Sequence, residues 1–154
     1  MFRESLSGSS EGRSEFVFTE TPGEVIEDLI DSAETAYRIV GSTFGINPEI
    51  VHSTNHCIDV VDVMGDHLCN ELDKGYEAAP MFVTYGFMPH EYISLYPPNS
   101  DRRIIADPTW QQFLPASERT SDKPKVLIGT PTEVGKQLSS YGFTPEQVAI
   151  WSSR

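Results

Sequence analysis

Two short β-prone runs, Glu91-Tyr92-Ile93-Ser94-Leu95-Tyr96 and Arg102-Arg103-Ile104-Ile105-Ala106-Asp107, flank the turn cluster Pro97-Pro98-Asn99-Ser100-Asp101. Proline fixes φ and lacks the N–H that a central strand must donate, so the chain has to reverse here. The spacing predicts an antiparallel hairpin. If the arms pair symmetrically about Pro98-Asn99, residues 90 and 107 meet at the open end, because their midpoint falls between 98 and 99. His90 then enters the first arm and Asp107 leaves the second.

What precedes this hairpin is helical in period. Thr21-Pro22-Gly23-Glu24 has the pattern of a capping box with proline at the first helical position. Val25, Ile26, Leu29, Ile30, Ala33, Tyr37 and Val40 then recur at helical spacing, and Gly41 or Gly45 ends the segment. Beyond the connector at 46–51, Ser53, Thr54 and Asn55 are available as N-caps. Ile58, Val61, Gly65, Leu68 and Leu72 line one face of a second helix that stops near Gly75. Cys57 therefore sits in its first turn.

Pro80–Gly86 and Lys125–Gly129 read as two further strands. Thr130-Pro131-Thr132-Glu133 and Thr144-Pro145-Glu146-Gln147 repeat the capping pattern and open two short helices. Segregated helices and strands predict an α+β domain: N-terminal helices, an antiparallel sheet, then short C-terminal helices. The chain's 154 residues suit one domain, over 17–154. Residues 1–16, rich in Ser, Gly, Glu and Arg, read as a mobile tail.

Composition narrows the function. Hydrophobic residues make up 38% and aromatics 10%, which argues against global disorder. No apolar run approaches the roughly 18 residues of a membrane span. The first residues lack the apolar stretch of a secretory signal, so the expected location is the cytoplasm, or outside the cell by a non-classical route. A net charge of -12 argues against nucleic acid, whose binding rests on Lys and Arg. The acidity serves solubility or a basic protein partner.

The two cysteines, Cys57 and Cys69, fall on one predicted helix, about 18 Å apart along its axis. A disulfide needs Cα atoms within about 7 Å, so both are expected as free thiols. Cys69, mid-helix beside Leu68, reads as a small buried hydrophobe, and His67 as a solvated helix residue. His52, His56 and Cys57 lack a second pair at ligand spacing, so no metal is expected. Gly129-Thr130-Pro131-Thr132 lacks the glycines and lysine of a phosphate loop. No cofactor is expected.

Thiol catalysis requires thiolate, which a free cysteine supplies sparingly at neutral pH. A helix N-terminus and a neighbouring imidazolium both favour the anion, and a third group orients the imidazole. Cys57, His90 and Asp107 offer these parts in chain order. Read singly, each has a plainer role: Cys57 as core filler, His90 as a strand start after Pro89, Asp107 as a turn former before Pro108.

Asn55-His56-Cys57, His90-Glu91-Tyr92-Ile93 and Ile105-Ala106-Asp107-Pro108-Thr109-Trp110-Gln111-Gln112-Phe113 together resemble the transglutaminase-like branch of the papain-like superfamily. The resemblance covers residues 52 to 113. Members of that branch often carry an aromatic beside the cysteine, where this chain has His56 and Ile58. The resemblance implies Cys57 as nucleophile, His90 as general base and later acid, and Asp107 as the orienting carboxylate. It implies attack on an amide or ester carbonyl, a thioester, and release to water or an amine. The substrate would be a protein or peptide with a reactive amide. Asn55 or His52 is a candidate second oxyanion donor beside the Cys57 N–H. Trp110, Gln111 and Gln112 can line a cleft, although Trp110 and Phe113 can equally be core. The rival expectation is an inactive papain-like fold that binds a protein partner.

Overall fold

In a computed structural model describing residues 16–71, 75–119 and 122–152, all six residues from His90 to Leu95 are buried. Successive side chains of a strand point to opposite faces. A strand buried on every residue must therefore be covered on both sides. Two helix pairs provide the cover.

The elements run α1 (Gly23–Phe44), α2 (Cys57–Glu71), β1 (Glu77–Tyr85), β2 (Met88–Tyr96), β3 (Ile104–Asp107), β4 (Leu127–Gly129), α3 (Pro131–Ser140) and α4 (Pro145–Ser152). Short 3-10 turns lie at Val51–Ser53, Trp110–Phe113 and Ala116–Glu118. The sheet is antiparallel in the order β1-β2-β3-β4. This is the expected α+β arrangement: helices, sheet, short helices.

Ile93, Leu95, Ile104, Ala106 and Ile128 join one core with α1 and α2, through residues such as Leu29, Ala33, Val60, Met64 and Leu68. The alternate residues Tyr92, Ile105 and Leu127 join a second core with Val134, Leu138, Val148 and Trp151 of α3 and α4. Period two in the strands thus divides the interior into two layers.

The predicted hairpin forms, but in a different register. Ile93 pairs with Ala106, Ser94 with Ile105 and Leu95 with Ile104. Continued outward, this places Asp107 opposite Tyr92 and not His90. A slip of one residue would turn every side chain to the other face, whereas a slip of two preserves the faces. His90 and Asp107 therefore still share a face, as diagonal neighbours. The two residues left out of the arm are Arg102 and Arg103. Arg102 bonds Glu20. Buried Arg103 donates to Ser94 Oγ at 2.7 Å and to the Trp151 carbonyl at 2.6 Å. A longer hairpin, β1–β2, reverses in two residues, with Gly86 at φ 63. Its first strand starts at Glu77, three residues before the predicted start at Pro80.

Several local expectations are corrected. Thr21 does not cap α1, whose N-cap is Pro22 with no side-chain bond. Its hydroxyl donates instead to Glu133 Oε1 at 2.6 Å, where a buried carboxylate offers a stronger acceptor. The capping boxes at Thr130/Glu133 and Thr144/Gln147 both form. The buried stripe of α2 is Cys57, Val60, Val61, Met64 and Leu68, and Ile58 is exposed. Leu72 lies outside the described residues, as do residues 1–15 of the N-terminal tail. Cys69 is exposed, not core. His67 is tied through Nδ1 to Ser32 Oγ of α1 at 2.7 Å. Gly45, at φ 70, closes α1. Gly41 is buried where a Cβ would lie 2.5 Å from the Ile46 carbonyl oxygen, so only glycine lets the chain turn back so tightly.

Candidate active site

The 3-10 turn at Val51–Ser53 delivers the chain to α2. Ser53 and Thr54 hydroxyls bond back to the Ile50 and Val51 carbonyls, so neither caps the helix. The Val60 N–H bonds the His56 carbonyl, which makes Cys57 the first helical residue. Its backbone N–H is among the N-terminal donors that no helical carbonyl can satisfy. Cys57 is 6% exposed.

His90 stands near the start of β2, and Asp107 ends β3. Their side chains are fully buried, with His90 Nε2 2.6 Å from Asp107 Oδ2. The Cys57 side chain lies close enough to the same imidazole to act on its charge. The three predicted residues are thus brought together. β3 stops at Asp107, two residues short of the position that would pair with His90. At this end of the sheet the N-terminus of α2 meets the ring.

The carboxylate is tightly held. Asp107 Oδ1 accepts the Thr109 N–H at 3.1 Å, and Oδ2 also accepts the Trp151 indole N–H at 2.6 Å. The next residue is fixed too: Tyr37 Oη donates to the Pro108 carbonyl at 2.7 Å. Burial, joined by the Asp107 and Glu34 charges, holds the Tyr37 phenol well above its ordinary range, so it remains a donor. Burial alone would discharge His90. The Asp107 charge and hydrogen bond, together with Cys57, outweigh it and lift the imidazole from 6.5 to about 9. Phe113 packs its ring edge-to-face on His90 at 4.8 Å and stacks on Tyr85 at 4.1 Å.

Of the cleft and oxyanion candidates, Asn55 is exposed in the bend before α2. His52 is buried, and neither ring nitrogen has a hydrogen-bond partner; the Gln111 side chain and Glu49 backbone act on it from outside good geometry. Burial and then the Lys125 charge lower it to about 4, so it is neutral near pH 7. Trp110 and Gln111 are fully buried and do not line a cleft. Trp110 Nε1 and Gln111 Nε2 both donate to the Pro124 carbonyl, at 3.0 and 2.8 Å, and Trp110 stacks on Tyr141. They anchor the segment leading to β4. Of that run only Gln112 faces the imidazole, with Nε2 3.4 Å from His90 Nδ1.

Trp151 was not singled out from the sequence. A signal existed: a buried indole N–H needs an acceptor. Glu91 was also missed. It is 3% exposed, and burial, then the Asp62 charge, raise its carboxyl while His90 lowers it. No group of three or more His, Cys, Asp or Glu able to hold a metal occurs among the described residues. Among them, no helix is long and apolar enough to cross a membrane.

Set against protein-family models, curated proteins and solved structures, the chain matches none.

Proposed function

We propose that the protein is a thiol-dependent amide hydrolase or acyl transferase, with Cys57 as nucleophile, His90 as general base and acid, and Asp107 as the orienting carboxylate. One observation carries this reading: Cys57, at the head of α2, acts on an imidazole whose Nε2 is held 2.6 Å from a fully buried carboxylate. A cation beside sulfur favours the charge that sulfur carries when it attacks a carbonyl. The same ring can then protonate the leaving amine. Asp107 fixes the ring orientation and offsets the positive charge. The Cys57 N–H, free at the helix start, is a donor for the developing oxyanion. The product of the first half-reaction is a thioester on Cys57. The resemblance to the transglutaminase-like branch supports a peptide or protein amide as donor. The net charge of -12 favours a basic one.

A second reading has its own observation. Cys57 is only 6% exposed and the His90 side chain not at all, as expected of a retained fold that binds a partner without chemistry. Iodoacetamide labelling separates the two. Both thiols are followed by mass spectrometry across pH 5 to 9, in the wild type and in His90→Gln. Exposed Cys69 serves as the internal reference. The catalytic reading expects Cys57 to react at a pH where Cys69 is still inert, and to lose that lead in His90→Gln. Inert Cys57 in both proteins would leave the binding reading.

A further inference from the structure

We propose that Gln112 holds the water that releases the acyl group from Cys57, making the protein a hydrolase and not an acyl transferase; this rests on the thiol reading above. Gln112 is half-buried in the 3-10 turn after β3. Its amide nitrogen donates to the Thr109 carbonyl at 3.0 Å and to Thr109 Oγ1 at 3.2 Å. The carbonyl can only accept, so the nitrogen, and not the oxygen, is the atom turned this way. The same nitrogen lies 3.4 Å from His90 Nδ1, beyond the usual range of an N–H hydrogen bond. Two N–H groups thus serve three acceptors: one is shared between the two oxygens of Thr109, and the other is directed at Nδ1 in a long contact that an entering water can replace. Asp107 occupies Nε2. Nδ1 is left as the nitrogen that can take a proton from an incoming acceptor.

The two acceptors differ in their lone pairs. Water has two: one attacks the thioester carbonyl while the other accepts the Gln112 N–H. One of its protons passes to His90 Nδ1. A neutral primary amine has a single lone pair, which must attack, and an N–H donor aimed at it competes with the reaction. Gln112 thus assists water and hinders an amine. In the step itself the water oxygen bonds to the acyl carbon. The tetrahedral intermediate then collapses, and the carbon–sulfur bond breaks with its electron pair left on sulfur. A carboxylic acid departs and the proton stays on the imidazole beside the regenerated thiolate. In the acylation step the ring has given its proton to the leaving amine, so it is neutral when water arrives.

The test uses p-nitrophenyl acetate as acyl donor and trifluoroethylamine, neutral at the assay pH, as competing acceptor. Acetylation of Cys57 is followed by mass spectrometry, and amide and acetate products by NMR, with Cys57→Ala as background. The product ratio does not depend on how fast the acyl-enzyme forms. Gln112→Met keeps the volume and removes the donor; Gln112→Glu replaces the donor by an acceptor. Either variant should raise the amide-to-acetate ratio about five- to ten-fold, the worth of one hydrogen bond. A ratio within about two-fold of wild type, with Cys57 acetylated, overturns the role of Gln112 and leaves the thiol reading standing. A wild-type Cys57 that is never acetylated overturns both.

Discussion

Asp107 and Glu133 are both buried carboxylates, and each gathers several donors, yet the donors differ in kind. Glu133 collects the Thr19 and Glu20 N–H groups on Oε2, at 2.7 and 2.9 Å, and the Thr21 hydroxyl and Thr130 N–H on Oε1, at 2.6 and 3.1 Å. None of these donors titrates near neutral pH. The cluster ties the segment before α1 to the start of α3 and can do nothing else. Asp107 takes a backbone N–H and an indole N–H, but also an imidazole that contacts a thiol. One carboxylate is a latch; the other is a latch whose load can change charge. The difference lies in whether a partner can exchange a proton, and not in burial.

Removing each carboxylate gives the largest contrast. Asp107→Ala strands an imidazole and an indole N–H in the core and should cost about 3–5 kcal/mol in urea unfolding, with loss of any enhanced Cys57 reactivity. Glu133→Ala should cost less, about 2–3 kcal/mol, because Thr19 and Glu20 are exposed and their amides can turn to water. Labelling at Cys57 should survive it. Equal losses of reactivity in both would dissolve the distinction.

The two sites should also fail at opposite ends of the pH scale. His90 is raised in the folded state, so its stabilisation is complete below its unfolded value of 6.5 and is lost as pH rises through about 9. That gap corresponds to about 3 kcal/mol. Unfolding measured from pH 6 to 10 should show this alkaline limb in the wild type and not in His90→Gln. Glu133 is different: although burial raises its carboxyl, the bonds from Thr21, Glu20, Thr130 and Thr19 win and lower it. Its stabilisation is present above about 4.5 and disappears as pH falls through the lowered folded value. Glu133→Gln should flatten the acid limb alone.

Trp151→Phe sharpens the Asp107 side. The six-membered ring remains, while the N–H and the rest of the indole go, at about 2–3 kcal/mol for the lost bond and the space left behind. Asp107 then leans more fully on His90, so the ring should titrate at higher pH when followed by NMR of its Cε1 proton. A His90 titration that does not move would assign the indole to packing alone. Cys69→Ser has the smallest expected effect, within about 0.5 kcal/mol, because the thiol is exposed. A large loss there would mean that the tail of α2 matters in a way its exposure does not reveal.

The sequence by itself determined the α+β order, the thiol at the head of a helix, and a hairpin that brings His90 and Asp107 to one face. These follow from local rules: periods of 3.6 and 2, proline and asparagine in turns, threonine and glutamate at helix starts. The capping boxes at Thr130 and Thr144 were legible because both partners lie within one turn of chain. The similar pattern at Thr21 misled because Glu133, 112 residues away, competes for the hydroxyl. Register was decided beyond local reach: the pairing lies two residues from the symmetric one, and Arg103, outside the paired arm, bonds Ser94 of the neighbouring strand and the Trp151 carbonyl of α4. Likewise Trp110 and Gln111 went to the core because their bonds to the Pro124 carbonyl close only when that segment packs against them, while the adjacent Gln112, held locally on Thr109, turned to His90. A run of residues can state which chemistry is on offer. Which of its side chains reach the site depends on long-range hydrogen bonds and on the two cores that close around the sheet.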